Sequence, residues 1–320
     1  MPAILRRILL AAPLRLVWTA LLAVVLLKLL TWIAPSIMGL SNITLGGSVR
    51  NAVLTVVVFA LSLWLFERKR LRDAGLALQR AVPDTLLGFL LGAALLTAII
   101  GILAVTGSYR IVGWAALPEE TSRALLLGRM MLAFLAVGIF EEVAARGIVF
   151  RLLEQSVGTW LAIVASALFF GFVHRNNPGA TWVSSVAIAI EAGGLLAASY
   201  VATRSLWLPV GLHWAWNLFE GPVWGSLVSG NDIGVLARAT FPGPALMTGG
   251  AFGPEAGLPA IVLGAALGVG FMVLAVRRDQ IFTPGWIRWI AERLRRASPP
   301  PAAPPETPPA PAVSPPAISS

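Results

Sequence analysis

Of 320 residues, 57% are hydrophobic and only 12% charged, giving a mean hydropathy of +0.81; soluble domains carry about 25% charged residues. A soluble globular protein is therefore excluded, and the absence of cysteine excludes disulfide frameworks, thiol nucleophiles and thiolate metal sites. The net charge of +9 implies no nucleic-acid partner, because the basic residues gather on alternate loops as the positive-inside rule distributes them.

Eight apolar runs follow in chain order, at roughly 16–34, 51–66, 85–107, 125–150, 159–174, 181–203, 206–224 and 258–276. Most are long enough to cross a ~30 Å hydrocarbon core as helices of about 20 residues. The fold class expected is all-α, a polytopic membrane helical bundle of about eight transmembrane helices. The first run follows Arg6, Arg7 and Arg15 but contains Lys28, and reads as a retained helix rather than a cleaved signal. With both termini cytoplasmic, Arg6, Arg7, Arg15, the 68–72 cluster, Arg80, Arg146, Arg151, Arg204, Arg277, Arg278 and the arginines of 288–296 fall on one side. Arg50, Arg110, Arg123, Arg129, Arg175 and Arg238 fall on the other. The localisation expected is a multi-pass protein of a bacterial plasma membrane, with the lipid bilayer as its first partner.

Residues 1–83 read as N-terminal transmembrane helices and 84–276 as the core. Residues 277–297, with Trp286, Ile287, Trp289, Ile290 and Leu294 among arginines, read as a cytoplasmic amphipathic basic segment. Residues 298–320 read as a disordered Pro-rich tail. The loop at 220–257 is rich in Gly and Pro and at that length is either a cap or mobile. Gly264 and Gly268 form a small-xxx-small pair that marks close packing within the bundle.

Charged groups inside a membrane segment cost ~2.5–3.5 kcal/mol each, so those retained point to function. In the fourth run Glu142 and Arg146 are four apart and face each other as an ion pair, while Glu141 points about 100° away without a partner on its own helix. His174 closes the fifth run one turn after Phe170, before the helix-ending Asn176-Asn177-Pro178. Positions 141 and 174 are equidistant from the QSVG turn at Val157-Gly158, so an antiparallel hairpin places them at the same depth. In the seventh run His213 and Asn217 share a face, Trp214 and Trp216 point elsewhere, and Pro209 and Gly211 loosen the helix. Glu191 is a further buried acid with a supporting role or a polar inter-helix contact.

These groups suit hydrolysis of an amide. Glu141 and His174 activate a water, and His213 with Asn217 donates to the oxyanion. The same side chains also make up a His2Glu set for a divalent metal such as zinc, although there is no HExxH helix. Serine chemistry has no GxSxG to rest on. Two other readings use the same residues: a non-catalytic immunity or scaffold protein, and an ion or proton transporter built on Glu141 and Glu191.

The three motifs resemble those of the CAAX-processing and bacteriocin-immunity (CPBP, Abi) intramembrane protease family. EExxxR is similar to Glu141–Arg146, FxxxH to Phe170–His174 and HxxxN to His213–Asn217. The resemblance covers roughly 84–276 and implies a CAAX-protease/Abi-like intramembrane endopeptidase core. In it Glu141, His174, His213 and Asn217 are catalytic, Glu142, Arg146 and Phe170 are supporting, and the substrate expected is a membrane-associated peptide or protein. It leaves both the metal and the prenylation of the substrate open.

Overall fold

The computed structural model describes residues 14–22, 25, 44–117, 121–284 and 287. Residues 14–22 are helical, while the rest of the 16–34 run with Lys28 (save residue 25), most of the basic segment 277–297 and the tail 298–320 lie outside the described residues. One compact unit spans Met1–Thr283; a second, Pro284–Ser320, is described only at 284 and 287.

Five helical stretches have the length and apolarity to cross a membrane: Leu45–Glu67, Leu78–Val105, Arg123–Val157, Trp182–Thr203 and Leu258–Arg277. The protein is an integral membrane protein with a polytopic helical fold. Two further apolar runs fold as shorter helices, of 15 residues at Thr159–Val173 and 12 at Trp207–Leu218. The first is stopped by Asn176-Asn177-Pro178, and the second passes into a turn containing Pro222.

Helix α1 (Leu45–Ser62) starts at Thr44, whose hydroxyl accepts from the Gly47 N–H at 3.2 Å. Helix α2 (Ala81–Val105) carries Asp84 in its first turn, paired with Arg80 at 2.8 Å. Helix α3 (Arg123–Glu142) continues through a π-helical stretch, Val143–Phe150, into α4 (Arg151–Val157). Gly158, at φ 85°, makes the turn into α5 (Thr159–Val173), so the hairpin closes where the spacing places it. A capping box of Thr181 and Ser184 opens α6 (Trp182–Ile188), which runs through a second π stretch, Ala189–Gly194, into α7 (Leu195–Thr203). Helix α8 (Trp207–Leu218) ends in a third π stretch, Phe219–Val223; α9 (Ala245–Thr248) and α10 (Leu258–Arg277) complete the helices.

Helix α8 is buried along nearly its whole length and is clamped by α2. A Cβ on Gly88 would lie 2.1 Å from the Leu208 carbonyl oxygen, one on Gly92 2.3 Å from that of Leu212, and one on Gly211 2.1 Å from that of Thr85. The two backbones therefore touch, the mode of helix association in lipid where water-driven burial is absent. The Gly264 and Gly268 pair packs within the bundle as expected, onto Glu191 and Leu195.

One end of the bundle is tied by charge. Glu67 receives Arg151 through two bonds of 2.6 and 2.7 Å, with Arg15 at 3.3 Å, and Glu154 receives Arg204 at 2.6 Å and Thr159 at 2.6 Å. Arg204 also donates to the Gln280 carbonyl. At the other end the loop after α8 is an ordered cap, which resolves the choice left by its composition. Its strand β4 (Ala237–Thr240) pairs antiparallel with β1 (Arg110–Trp114), and β2 (Leu227–Val228) pairs with β3 (Asn231–Asp232), adding two small sheets to an otherwise helical fold. Tyr109 donates to the Trp224 carbonyl at 2.8 Å, and burial pushes its phenol up to about 12.

Replacing Gly211 with Val forces α8 away from α2. The Gly211→Val protein is expected to lose ~1–3 kcal/mol or more of stability, read as a lowered unfolding temperature in detergent; an unchanged temperature contradicts the clamp.

Candidate active site

Glu141, the last residue but one of α3, and Glu142 leave the helix in different directions. Glu142 is fully buried, and its Oε1 accepts from Arg146 Nη1 at 2.9 Å and from His213 Nδ1 at 2.9 Å. Arg146 is 1% exposed, so it belongs to the interior and not to the cytoplasmic loop charges among which its sequence position places it. Its Nη2 donates to the carbonyls of Ala192 and Gly193 at 3.0 and 3.1 Å, and its guanidinium carbon sits 4.4 Å from the centre of the Phe170 ring. The ion pair read from the four-residue spacing is present, and it also fixes a histidine on another helix.

That bond sets the His213 tautomer, because a carboxylate oxygen only accepts and Nδ1 must carry the proton. The same logic holds for His174, whose Nδ1 lies 2.8 Å from the Phe170 carbonyl oxygen. Each ring then directs Nε2 at Glu141. His174 Nε2 and His213 Nε2 each lie 3.9 Å from Glu141 Oε2, and that oxygen has no hydrogen-bond partner among the described residues. Phe170 packs its ring 4.6 Å from that of His174 and 6.3 Å from that of His213.

These groups border a cavity of about 320 Å³ lined by Glu141, Phe170, His174, His213 and Asn217. The side chains of Glu141, His174 and His213 keep 24%, 13% and 10% exposure against 0% for Glu142, so the first three open onto the cavity and Glu142 supports them from behind. The structure brings together the seven residues of the three motifs, five at the cavity with Glu142 and Arg146 behind it, and Glu191 also lines it.

Other lining residues were not singled out. Trp216 borders the cavity instead of pointing elsewhere, because it is one turn from His213 on the inner side of α8. Glu220, seven residues after His213, is buried on the π stretch that follows but is not among the residues lining the cavity. Ser48, Arg50 and Asn51 of α1 reach the cavity from outside the expected 84–276 core, and Ser229, Asn231 and Glu255 reach it from the cap. Nothing in the sequence pattern marks these.

The two Nε2 atoms and Glu141 Oε2 are the atoms a His2Glu metal ion would use. Bonds of about 2.0–2.2 Å keep tetrahedral ligand atoms roughly 3.3–3.6 Å apart, whereas the two separations here are 3.9 Å. Among the described residues no three His, Cys, Asp or Glu side chains are placed to hold a metal ion. The set as arranged does not fit the ion.

Removing Glu142 strands Arg146 in the interior. Glu142→Ala is expected to cost ~3–5 kcal/mol, and the double variant Glu142→Leu/Arg146→Met to recover much of that loss; thermal unfolding of both in detergent checks the pair, and equal losses contradict it.

Residues 123–219, which contain all seven residues, match the family model described as type II CAAX prenyl endopeptidase Rce1-like. No curated protein and no solved structure matches the chain. Over residues 123–219 the chain is similar to the type II CAAX prenyl endopeptidase Rce1-like family.

Proposed function

We propose that the protein is an intramembrane endopeptidase that hydrolyses a peptide bond of a membrane-associated protein or peptide. The observation that carries this reading is the convergence of both Nε2 atoms on one unpartnered carboxylate oxygen at 3.9 Å. That separation is too long for a direct hydrogen bond. A water 2.8 Å from both Glu141 Oε2 and His174 Nε2 subtends about 90°, an acceptable angle, in a cavity polar and roomy enough to hold it.

Glu141 takes a proton from that water as its oxygen attacks the scissile carbonyl carbon, with His174 Nε2 orienting the water. The carbonyl oxygen gains negative charge. Asn217 donates to it through its amide N–H, and His213 donates from Nε2 when the ring is doubly protonated, its Nδ1–H held by Glu142. The proton on Glu141 then passes to the leaving nitrogen, the C–N bond breaks, and an acid and an amine result. The ion-paired end of the bundle is assigned to the cytoplasm and the cap to the opposite side, following the distribution of basic residues. The peptidase unit is residues 84–276 together with α1.

Glu141→Gln keeps shape and removes the base. It is expected to lower cleavage of a membrane-bound peptide by at least ~10²–10⁴-fold, with His174→Ala comparable and Asn217→Ala lower by ~10²–10³-fold. Full activity of a folded Glu141→Gln protein sinks the peptidase reading and favours a non-catalytic scaffold. Thorough chelation of the wild type is expected to leave the rate unchanged; lost activity restored by zinc would require a metal in place of the water mechanism.

A further inference from the structure

A second group of carboxylates opens on the same cavity. Glu191, on the π stretch after α6, lines it and is only 1% exposed, yet neither carboxyl oxygen has a hydrogen-bond partner among the described residues. Glu255 of the cap also lines it, 3% exposed, with Oε2 accepting from the Ser229 hydroxyl at 2.8 Å. Glu220 is fully buried on the π stretch after α8 and is not among the residues lining the cavity. Packing fixes Glu191 in place, since a Cβ on Gly264 would stand 3.0 Å from both its Cα and its Cβ.

Arg146 does not pair with Glu191. Arg146 directs its Nη atoms to Glu142 and to the Ala192 and Gly193 carbonyls. Arg50, which lines the cavity, donates to Asn51. A carboxyl group withdrawn from water without a partner is costly, and the cost is relieved when a cation with several N–H donors is brought to it. An extended peptide whose scissile carbonyl sits at Glu141 and His174 carries its neighbouring side chains into the remaining space, where Glu191 waits.

Resting on the peptidase reading above, we propose that Glu191, with Glu255 beside it, is a recognition subsite for the Lys or Arg side chain of a substrate residue next to the scissile bond. The site therefore selects peptides with a basic residue at one position. Glu191 and Glu255 act in specificity and take no part in activating the water.

The test is equilibrium binding to full-length protein carrying Glu141→Gln in lipid nanodiscs. The probes are peptides with an apolar tail of about 20 residues that differ only in Lys, Arg or norleucine at successive positions before the tail. At one position Lys and Arg are expected to bind at least about tenfold more tightly than norleucine. Adding Glu191→Gln is expected to remove that advantage and leave norleucine binding unchanged. Equal binding of Lys and norleucine at every position overturns the subsite, as does an advantage that survives Glu191→Gln. If Glu191→Gln abolishes binding of every peptide, the Lys-to-norleucine ratio with Glu191 intact decides alone. Cleavage is scored separately with Glu141 restored, so peptides that bind selectively but stay uncut count against the peptidase reading and in favour of the subsite.

Discussion

The buried carboxylate of Glu142 is the point on which the arrangement turns. It accepts from Arg146 on its own helical stretch and from His213 on α8, while Arg146 reaches across to carbonyls at 192 and 193. One ion pair thus joins three segments that are distant in sequence. Buried pairs rarely stabilise more than well-packed apolar groups would, because desolvation offsets the attraction. Here the pair supplies geometry: with Nδ1 held by Glu142, the free nitrogen of His213 can face only toward Glu141.

The helices make this contact possible by departing from ideal winding. π-Helical stretches at Val143–Phe150, Ala189–Gly194 and Phe219–Val223 follow Glu142, contain Glu191 and contain Glu220, respectively. Such a stretch adds a residue per turn, displaces carbonyls from the regular ladder and rotates the side chains that follow. The Ala192 and Gly193 carbonyls bonded by Arg146 lie in one of them. The close backbone contact of α2 with α8 then holds His213 and Asn217 at a fixed height against the other helices.

Much of the site could be read from sequence because its determinants are short-range. The four-residue spacing of Glu142 and Arg146 is set by one helical turn, and the meeting of Glu141 with His174 by two antiparallel arms of equal length around Gly158. Glu220 continues the His213–Asn217 face by one more turn, beyond the regular helix, whereas Trp216 lies on the adjoining face that the four-residue spacing does not mark. Arg146 was placed among surface charges because spacing reports which residues face each other and not how deep they lie. Ser229 and Glu255 carry no periodic signal, since their positions follow from turns and two-residue strands in the cap. The five spans of full length were legible from apolar runs, whereas the brevity of α5 and α8 depended on where proline and asparagine stop a helix.

The cap has a consequence for how such a protein changes over time. Glu141, His174 and His213 sit on helices locked by touching backbones and a buried ion pair, where almost any substitution disturbs the packing. Residues 224–257 contribute Ser229, Asn231 and Glu255 to the same cavity from an extramembrane loop held by short strands and the Tyr109 bond, a setting that tolerates substitution and insertion. The cap loop can therefore vary in sequence while the helices that carry Glu141, His174, Glu191 and His213 stay packed.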